Sequence, residues 1–317
     1  MRAGKIFTGA LLALLLIAGV GAGLSWAPDR PVETLTARWA APPSQFIPVK
    51  GMQVHLRDEG PRDAPQPIVL LHGTSDSLHT WEGWAAALRG QRRVIRVDMP
   101  GFGLTGPNPQ GDYRLPTYVS FVIAVLDHLQ VKQVVLGGNS FGGEVVWKTG
   151  VDHPSRVSRL ILVDAGGFPF QSGNMPIGFK IARNPVLKSL TPYFLPRTIV
   201  ASSVRNVYGD PRRVTPELID RYQDMALRAG NRRALNARVT QSPIGLYADQ
   251  VKQVRQPTLI LWGGQDHLIP PANATRFQHD IPGSQLVMFE DLGHVPHEED
   301  AARTVAAVQA FLVERGP

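Results

Sequence analysis

The stretch Val134-Val135-Leu136-Gly137-Gly138-Asn139-Ser140-Phe141-Gly142-Gly143-Glu144-Val145-Val146 constrains the fold more than any other part of the chain. An apolar run stops at residues that tolerate unusual backbone angles, and a helical pattern follows at once. This predicts a buried strand over Val134 to Leu136, a tight turn with Ser140 at its apex, and a helix from about Phe141. In Gly138-x-Ser140-x-Gly142, small residues flank the serine because so sharp a bend brings strand and helix backbones too close for a Cβ. A helix starting there directs free N–H groups and a positive dipole end towards Ser140, which favours negative charge developing on it. With 31 glycines in 317 residues, the spacing alone is a weak sign. Its strand-turn-helix setting gives it weight.

Short β-rich segments alternate with helical ones around this turn. Strands are predicted at Gln53 to Arg57, Pro67 to Leu71, Arg93 to Asp98, Gln133 to Leu136, Leu160 to Val163, Thr258 to Trp262 and Gln285 to Phe289. Several are continuous apolar runs, as expected for strands covered on both faces. Helical periodicity runs over Trp81 to Leu88, Val119 to Leu129, Phe141 to Lys148 and Ala301 to Val313, where Val305, Val308, Phe311 and Leu312 share a face. The alternation predicts an α/β fold with a mostly parallel sheet flanked by helices, and a site at the carboxyl ends of its strands.

From residue 168 to 250 no strand pattern is present. Proline-punctuated helical pieces read there as an inserted helical cap, leaving 49–167 and 251–317 as the core. The insertion holds twelve Lys and Arg against five acids, an excess equal to the formal net charge of the whole chain, +7. A cationic helix face is commonly just solvated. The sharper expectation is contact with anionic headgroups or attraction of acidic substrates. No nucleic-acid reader motif accompanies the basic residues, so no nucleic-acid partner is expected.

The N-terminus speaks to location. Arg2 and Lys5 precede an uncharged run from Ile6 to Leu24, enough to span roughly 30 Å of hydrocarbon as a helix. Residues 1–27 read as a signal anchor or signal peptide, with Val20-Gly21-Ala22 as a candidate cleavage site. The rest of the chain would then be exported, either anchored in the inner membrane facing the periplasm or exterior, or secreted after cleavage. Residues 28–48, with prolines at 28, 31, 42, 43 and 48, read as a linker. The absence of cysteine excludes disulfides, thiolate metal sites and a cysteine nucleophile.

A serine hydroxyl becomes a nucleophile when a base takes its proton and an acid orients that base. Asp266 follows the strand ending at Trp262, and His294 follows the strand ending at Phe289, so both fall in loops at carboxyl ends where they can converge on Ser140. His297 competes with His294, and Asp164, after the strand ending at Val163, competes with Asp266. His267 is badly placed to fold back on its neighbour Asp266. His55, His79, His128 and His153 lack the spacing and read as surface or packing residues. Oxyanion donors are expected from the backbone N–H of Phe141 and of Thr74, in the loop His72-Gly73-Thr74 after a strand.

Together, His72-Gly73-Thr74, Asp98-Met99-Pro100-Gly101-Phe102-Gly103, Gly138-Asn139-Ser140-Phe141-Gly142-Gly143, Gly263-Gly264-Gln265-Asp266 and Gly293-His294-Val295-Pro296 resemble the α/β-hydrolase superfamily over about Phe46 to Phe311. The resemblance implies a serine hydrolase with Ser140, His294 and Asp266 as its triad. A serine nucleophile departs from the epoxide hydrolases and haloalkane dehalogenases, which use aspartate. The Gly-Asn-Ser-x-Gly-Gly turn is similar to that of meta-cleavage-product hydrolases, although Val295 stands where those usually have tryptophan. The expected activity is cleavage of a small, apolar carboxylic ester, with no cofactor and no metal. Alternatives on the same triad are C–C bond, lactone or amide cleavage and perhydrolysis, and outside enzymes a binding protein that retains the fold.

Overall fold

The structure, a computed structural model, describes residues 23, 25–64, 66–171, 175–184 and 187–313. Its one eight-stranded sheet comprises β1 (Ser44–Val49), β2 (Met52–Glu59), β3 (Ile68–Leu71), β4 (Val94–Val97), β5 (Val134–Asn139), β6 (Val157–Val163), β7 (Thr258–Gly263) and β8 (Gln285–Phe289), in the order β1-β2-β4-β3-β5-β6-β7-β8. Neighbours from β4 to β8 run parallel, and β1 and β2 pair antiparallel at one edge. This is the α/β architecture that the alternation implies. In β3 every residue is apolar because both faces are covered. Ile68 and Leu70 pack with Trp81, Trp84 and Val308 on one side, and Val69 and Leu71 with Tyr118, Phe121 and Val145 on the other.

The helices are α1 (Val32–Trp39), α2 (Glu82–Leu88), α3 (Leu115–His128), α4 (Phe141–Asp152), α5 (Ile177–Arg183), α6 (Arg197–Val207), α7 (Pro216–Leu227), α8 (Asn231–Gln241), α9 (Ala272–Asp280), α10 (Pro296–Glu299) and α11 (Ala301–Val313). In α11 the buried residues are Thr304 and the expected apolar face, Val305, Val308, Phe311 and Leu312. Between β6 and β7 the described residues form α5 to α8 and no strand. Their own apolar cluster, Val200, Val204, Tyr208, Val214 and Ile219, includes Val295 from the loop after β8.

Residues 28–48 are not a free linker. Pro31 sits at the N-cap of α1, a position that tolerates proline, and Leu35 is buried against Leu104 and Met225. Trp39 Nε1 donates to Asp224 on α7 at 2.9 Å, and Arg30 and Arg38 pair with the same carboxylate. β1 joins β2 through the two-residue turn Lys50-Gly51, both at positive φ (49° and 77°). Proline at 48 is compatible with β1 because an edge strand has a side with no ladder bond to lose. The apolar run Ile6 to Leu24 falls outside the described residues except for Gly23. Among the described residues no helix is long and apolar enough to cross a membrane.

One buried carboxylate ties the loops at the strand ends. Asp98, at the end of β4, accepts from the N–H of Leu78 (2.7 Å) and of Leu104 (2.8 Å) and pairs with Nδ1 of His55 (2.7 Å). Removing it would strand buried donors at about 1–3 kcal/mol each. Asp98→Ala is therefore expected to lower the unfolding free energy by about 3 kcal/mol or more. Urea denaturation checks this, and an unchanged midpoint would refute the anchoring role.

Candidate active site

Ser140 lies between β5 and α4 with φ 54° and ψ −119°, a backbone state that a non-glycine residue holds only when its surroundings enforce it. The enforcement is visible. Its N–H donates to Val163 O (3.0 Å), and its carbonyl accepts from Glu144 N (3.1 Å) and Gly166 N (2.8 Å). The glycine at 142 is required because a Cβ there would sit 2.4 Å from Leu71 O and 2.5 Å from His72 O. Strand β3 thus packs directly under the first turn of α4.

The loops after β7 and β8 bring in the partners. Asp266 Oδ1 accepts from the N–H of Leu268 (2.8 Å) and Ile269 (2.9 Å), which leaves Oδ2 for His294 Nδ1 at 2.7 Å. Both side chains are buried. The His294 N–H donates to Val207 O on α6 (2.8 Å), and its carbonyl accepts from Asn139 Nδ2 (2.9 Å), the residue before Ser140. Asn139 therefore ties the histidine loop to the serine turn. Glu299 holds the same loop by accepting from the N–H of Gly293 (2.9 Å), Gly209 (2.9 Å) and Asp210 (2.7 Å).

The expected oxyanion loop is beside the serine. A Cβ on Gly73 would lie 3.2 Å from Ser140 Cβ, and Gly73 and Thr74 line the same cavity as Ser140 and His294. Phe141, immediately after Ser140, opens α4 with its ring buried. The cavity measures about 190 Å³ and is largely apolar, with Ile199, Val200, Leu235 and Leu268 among its wall residues. α5 to α8 supply much of that wall.

Residues 66–301 match the profile of the alpha/beta hydrolase fold family. The chain belongs to this family. An uncharacterized protein of Mycobacterium tuberculosis is 30% identical over 289 residues, covering 87% of this chain and 83% of the relative. A 2-hydroxymuconate semialdehyde hydrolase of a Pseudomonas species is 28% identical over 277 residues, covering 83% and 92%. Among solved structures, a meta-cleavage product hydrolase of Pseudomonas fluorescens shares the fold with a TM-score of 0.73 at 23% identity, over 84% of this chain and 97% of that one. A bacterial membrane phospholipase A does so with a TM-score of 0.72 at 22% identity, over 98% of each chain.

In this hydrolase the rival residues occupy other places. His297 is buried, its Nε2 bonds to Thr80 Oγ1 (2.9 Å), its ring packs 4.0 Å from that of Trp81, and burial pushes its pKa well down. Asp164 is not the partner of His294 but stands behind Asp266. One donor atom from each of Asp164, Asp266 and His294 lies within 4.8 Å of the others. Asp164 Oδ1 accepts from Gly263 N (3.0 Å), while Oδ2 meets no N–H or O–H donor among the described residues. Burial, reinforced by the Asp266 charge, pushes the Asp164 carboxyl well above the usual carboxylate range. The shift favours the neutral acid, whose O–H could donate to the Asp266 carboxylate beside it. Sequence reasoning placed Asp164 at a strand end but had no means of seeing this pairing, and Asn139 was visible only as a neighbour of Ser140.

The consequence is testable through the reactivity of Ser140. Asp164→Asn keeps a donor for Asp266 and an acceptor for Gly263, so its rate of labelling by a fluorophosphonate should stay within about threefold of wild type. Asp164→Leu removes both and should slow labelling about tenfold or more. Equal rates for Asp164→Leu and wild type would remove Asp164 from the site.

Proposed function

We propose that this hydrolase cleaves carboxylic esters through an acyl-enzyme on Ser140. The observation that carries the reading is that His294, oriented at 2.7 Å by Asp266, lines the same apolar cavity as the half-buried Ser140. With its Nδ1 proton held by Asp266, the imidazole has Nε2 available to take the Ser140 proton as Oγ attacks the carbonyl carbon. The tetrahedral oxyanion would be met by the backbone N–H groups of Phe141 and Thr74. Collapse expels the alkoxide, which His294 protonates. Water, deprotonated by the same imidazole, then releases the acid and restores Ser140. Asp266 holds the Nδ1 side of the imidazole throughout.

His72 supports the second donor. Its buried ring bonds through Nδ1 to Gly73 O (2.7 Å) and accepts the Met99 N–H at Nε2 (3.0 Å), which requires a neutral ring with its proton on Nδ1. Burial lowers its pKa and keeps it so. In a trans peptide, C=O and the following N–H point oppositely, so pinning Gly73 O aims the Thr74 N–H away from His72.

The apolar wall favours an apolar acyl or alcohol body. A second reading, C–C bond cleavage, is favoured by the similarity to the 2-hydroxymuconate semialdehyde hydrolase, whose overall length this chain largely covers. We also infer that the run Ile6 to Leu24 exports or anchors the protein, with 168–250 acting as a cap over the site. Fractionation of the full chain beside a form lacking residues 1–27 checks the first point, since identical soluble behaviour would refute anchoring.

Turnover of p-nitrophenyl esters from acetate to palmitate tests the main reading. Ser140→Ala should reduce it about 10⁴-fold or more. His72→Phe should lower kcat about 10- to 100-fold with KM little changed. If a 2-hydroxy-6-oxo-dienoate were cleaved while all esters stayed inert, the C–C reading would replace this one.

A further inference from the structure

Arg232 on α8 is 5% exposed and belongs to the wall of the cavity that holds Ser140 and His294. It also borders a smaller recess of about 30 Å³ beside Phe102 and Met225. Its Nη2 donates to Asp29 Oδ1 (2.6 Å), and Asp29 Oδ2 accepts from Gly230 N (3.1 Å). Its Nε and Nη1 are buried and find no acceptor among the described residues. A buried donor without an acceptor is costly, and a guanidinium cannot escape by giving up its proton.

The other charges near the cavity are spoken for. Asp76 accepts from Ser77 N (2.7 Å), Arg221 (3.3 Å) and Tyr222 Oη (3.1 Å). Arg221 also pairs with Glu298 at 2.5 Å. Asp76 is thus engaged by Ser77, Arg221 and Tyr222 rather than by Arg232, and the rest of the wall offers mainly carbon. A cation fixed on one side by Asp29, with two donors left over in an otherwise apolar wall, suits a ligand that brings its own oxygen acceptors.

We propose that Arg232 is the anchor of an anion subsite, and that the substrate of the Ser140 site is an ester whose remote end carries a carboxylate or phosphate. Naming the ligand as a substrate rests on the ester-hydrolase reading. The existence of the subsite does not. The apolar wall would hold the intervening chain, and Arg232 would set how deep it enters and hence which ester carbonyl reaches Ser140. Arg232 is then a specificity-determining residue, distinct from the groups that move protons.

Binding and turnover separate the two ideas. Calorimetry on Ser140→Ala protein compares monomethyl suberate with dimethyl suberate, which differ at one end by a charge. The monoanion should bind about tenfold tighter or more, and the preference should vanish in Ser140→Ala/Arg232→Met. A p-nitrophenyl ester series with ω-carboxylates from succinate to suberate, each beside its ω-methyl ester, should show an optimum length. The carboxylate-to-neutral ratio of kcat/KM should fall about tenfold in Arg232→Met, a ratio in which any general loss cancels. A monoacylglycerol compared with its 3-phosphate tells a phosphate source from a carboxylate one. Equal binding of both suberates by Ser140→Ala protein, which needs no change at 232, would overturn the subsite. So would a preference that survives Arg232→Met or, should that variant not fold, Arg232→Gln. A binding preference with no turnover of any ester would keep the subsite and overturn the ester-hydrolase reading.

Discussion

The geometry depends on the strained turn at Ser140. A serine at φ 54° is unfavourable in isolation, and here the strain is held by three hydrogen bonds on its own peptide groups and by the approach of β3 to α4 over a residue without a side chain. The same compression brings Gly73 against Ser140, so the loop after β3 and the serine turn are positioned by one packing event. Asn139 then reaches across to the carbonyl of His294. Relaxing the turn would displace the histidine loop and the Thr74 peptide together. Such a site has few independent parts.

What was legible in the sequence follows from whether the signal is local. Seven strands could be placed within three residues of their ends; in β3, β5 and β7 the signal is the continuous apolar core of a buried parallel strand, with glycines at or just past its end. Ser140, Asp266 and His294 were legible because each follows a strand at a carboxyl end. Residues 28–48 misled because their prolines look like a tether, whereas in place they start a helix and lie on an open sheet edge, functions that only tertiary partners reveal. His72, Asp164 and Arg232 carry no local signature of their roles. Each acts through a group distant in sequence: Met99 for His72, Gly263 and Asp266 for Asp164, Asp29 for Arg232.

The basic character of the insertion also reads differently in three dimensions. Its excess of cations suggests a charged outer face, yet Arg221 and Arg232 are turned inward and buried. Arg221 joins Asp76 of the loop after β3 to Glu298 just beyond His294; Tyr208 donates to Glu298, and the single Tyr222 O–H is shared between Asp76 and Glu298. Burial, reinforced by the Glu298 charge and opposed by Arg221, raises the Asp76 carboxyl to about 7. Apolar packing at Val200, Val204 and Ile219 supplies adhesion without direction, whereas these paired charges fix one seating of the insertion on the core.

That seating extends to the first described residues. Trp26 stacks on Tyr193 at 6.0 Å and meets Phe194 edge-on at 5.6 Å, while Arg30 and Trp39 converge on Asp224. Asp29 lies between these contacts and also holds Arg232 in the cavity wall. The chain that leaves the apolar N-terminal run is thus clamped to the helices over the site before it enters the sheet, and one of its clamps is the counter-ion of a cavity residue. Movement of residues 25–40 relative to the core would change the charge balance around Arg232 directly, without passing through the sheet. Whatever positions the N-terminal run therefore reaches the wall of the cavity at two points, at Arg232 through the Asp29 ion pair and at Phe194 through Trp26.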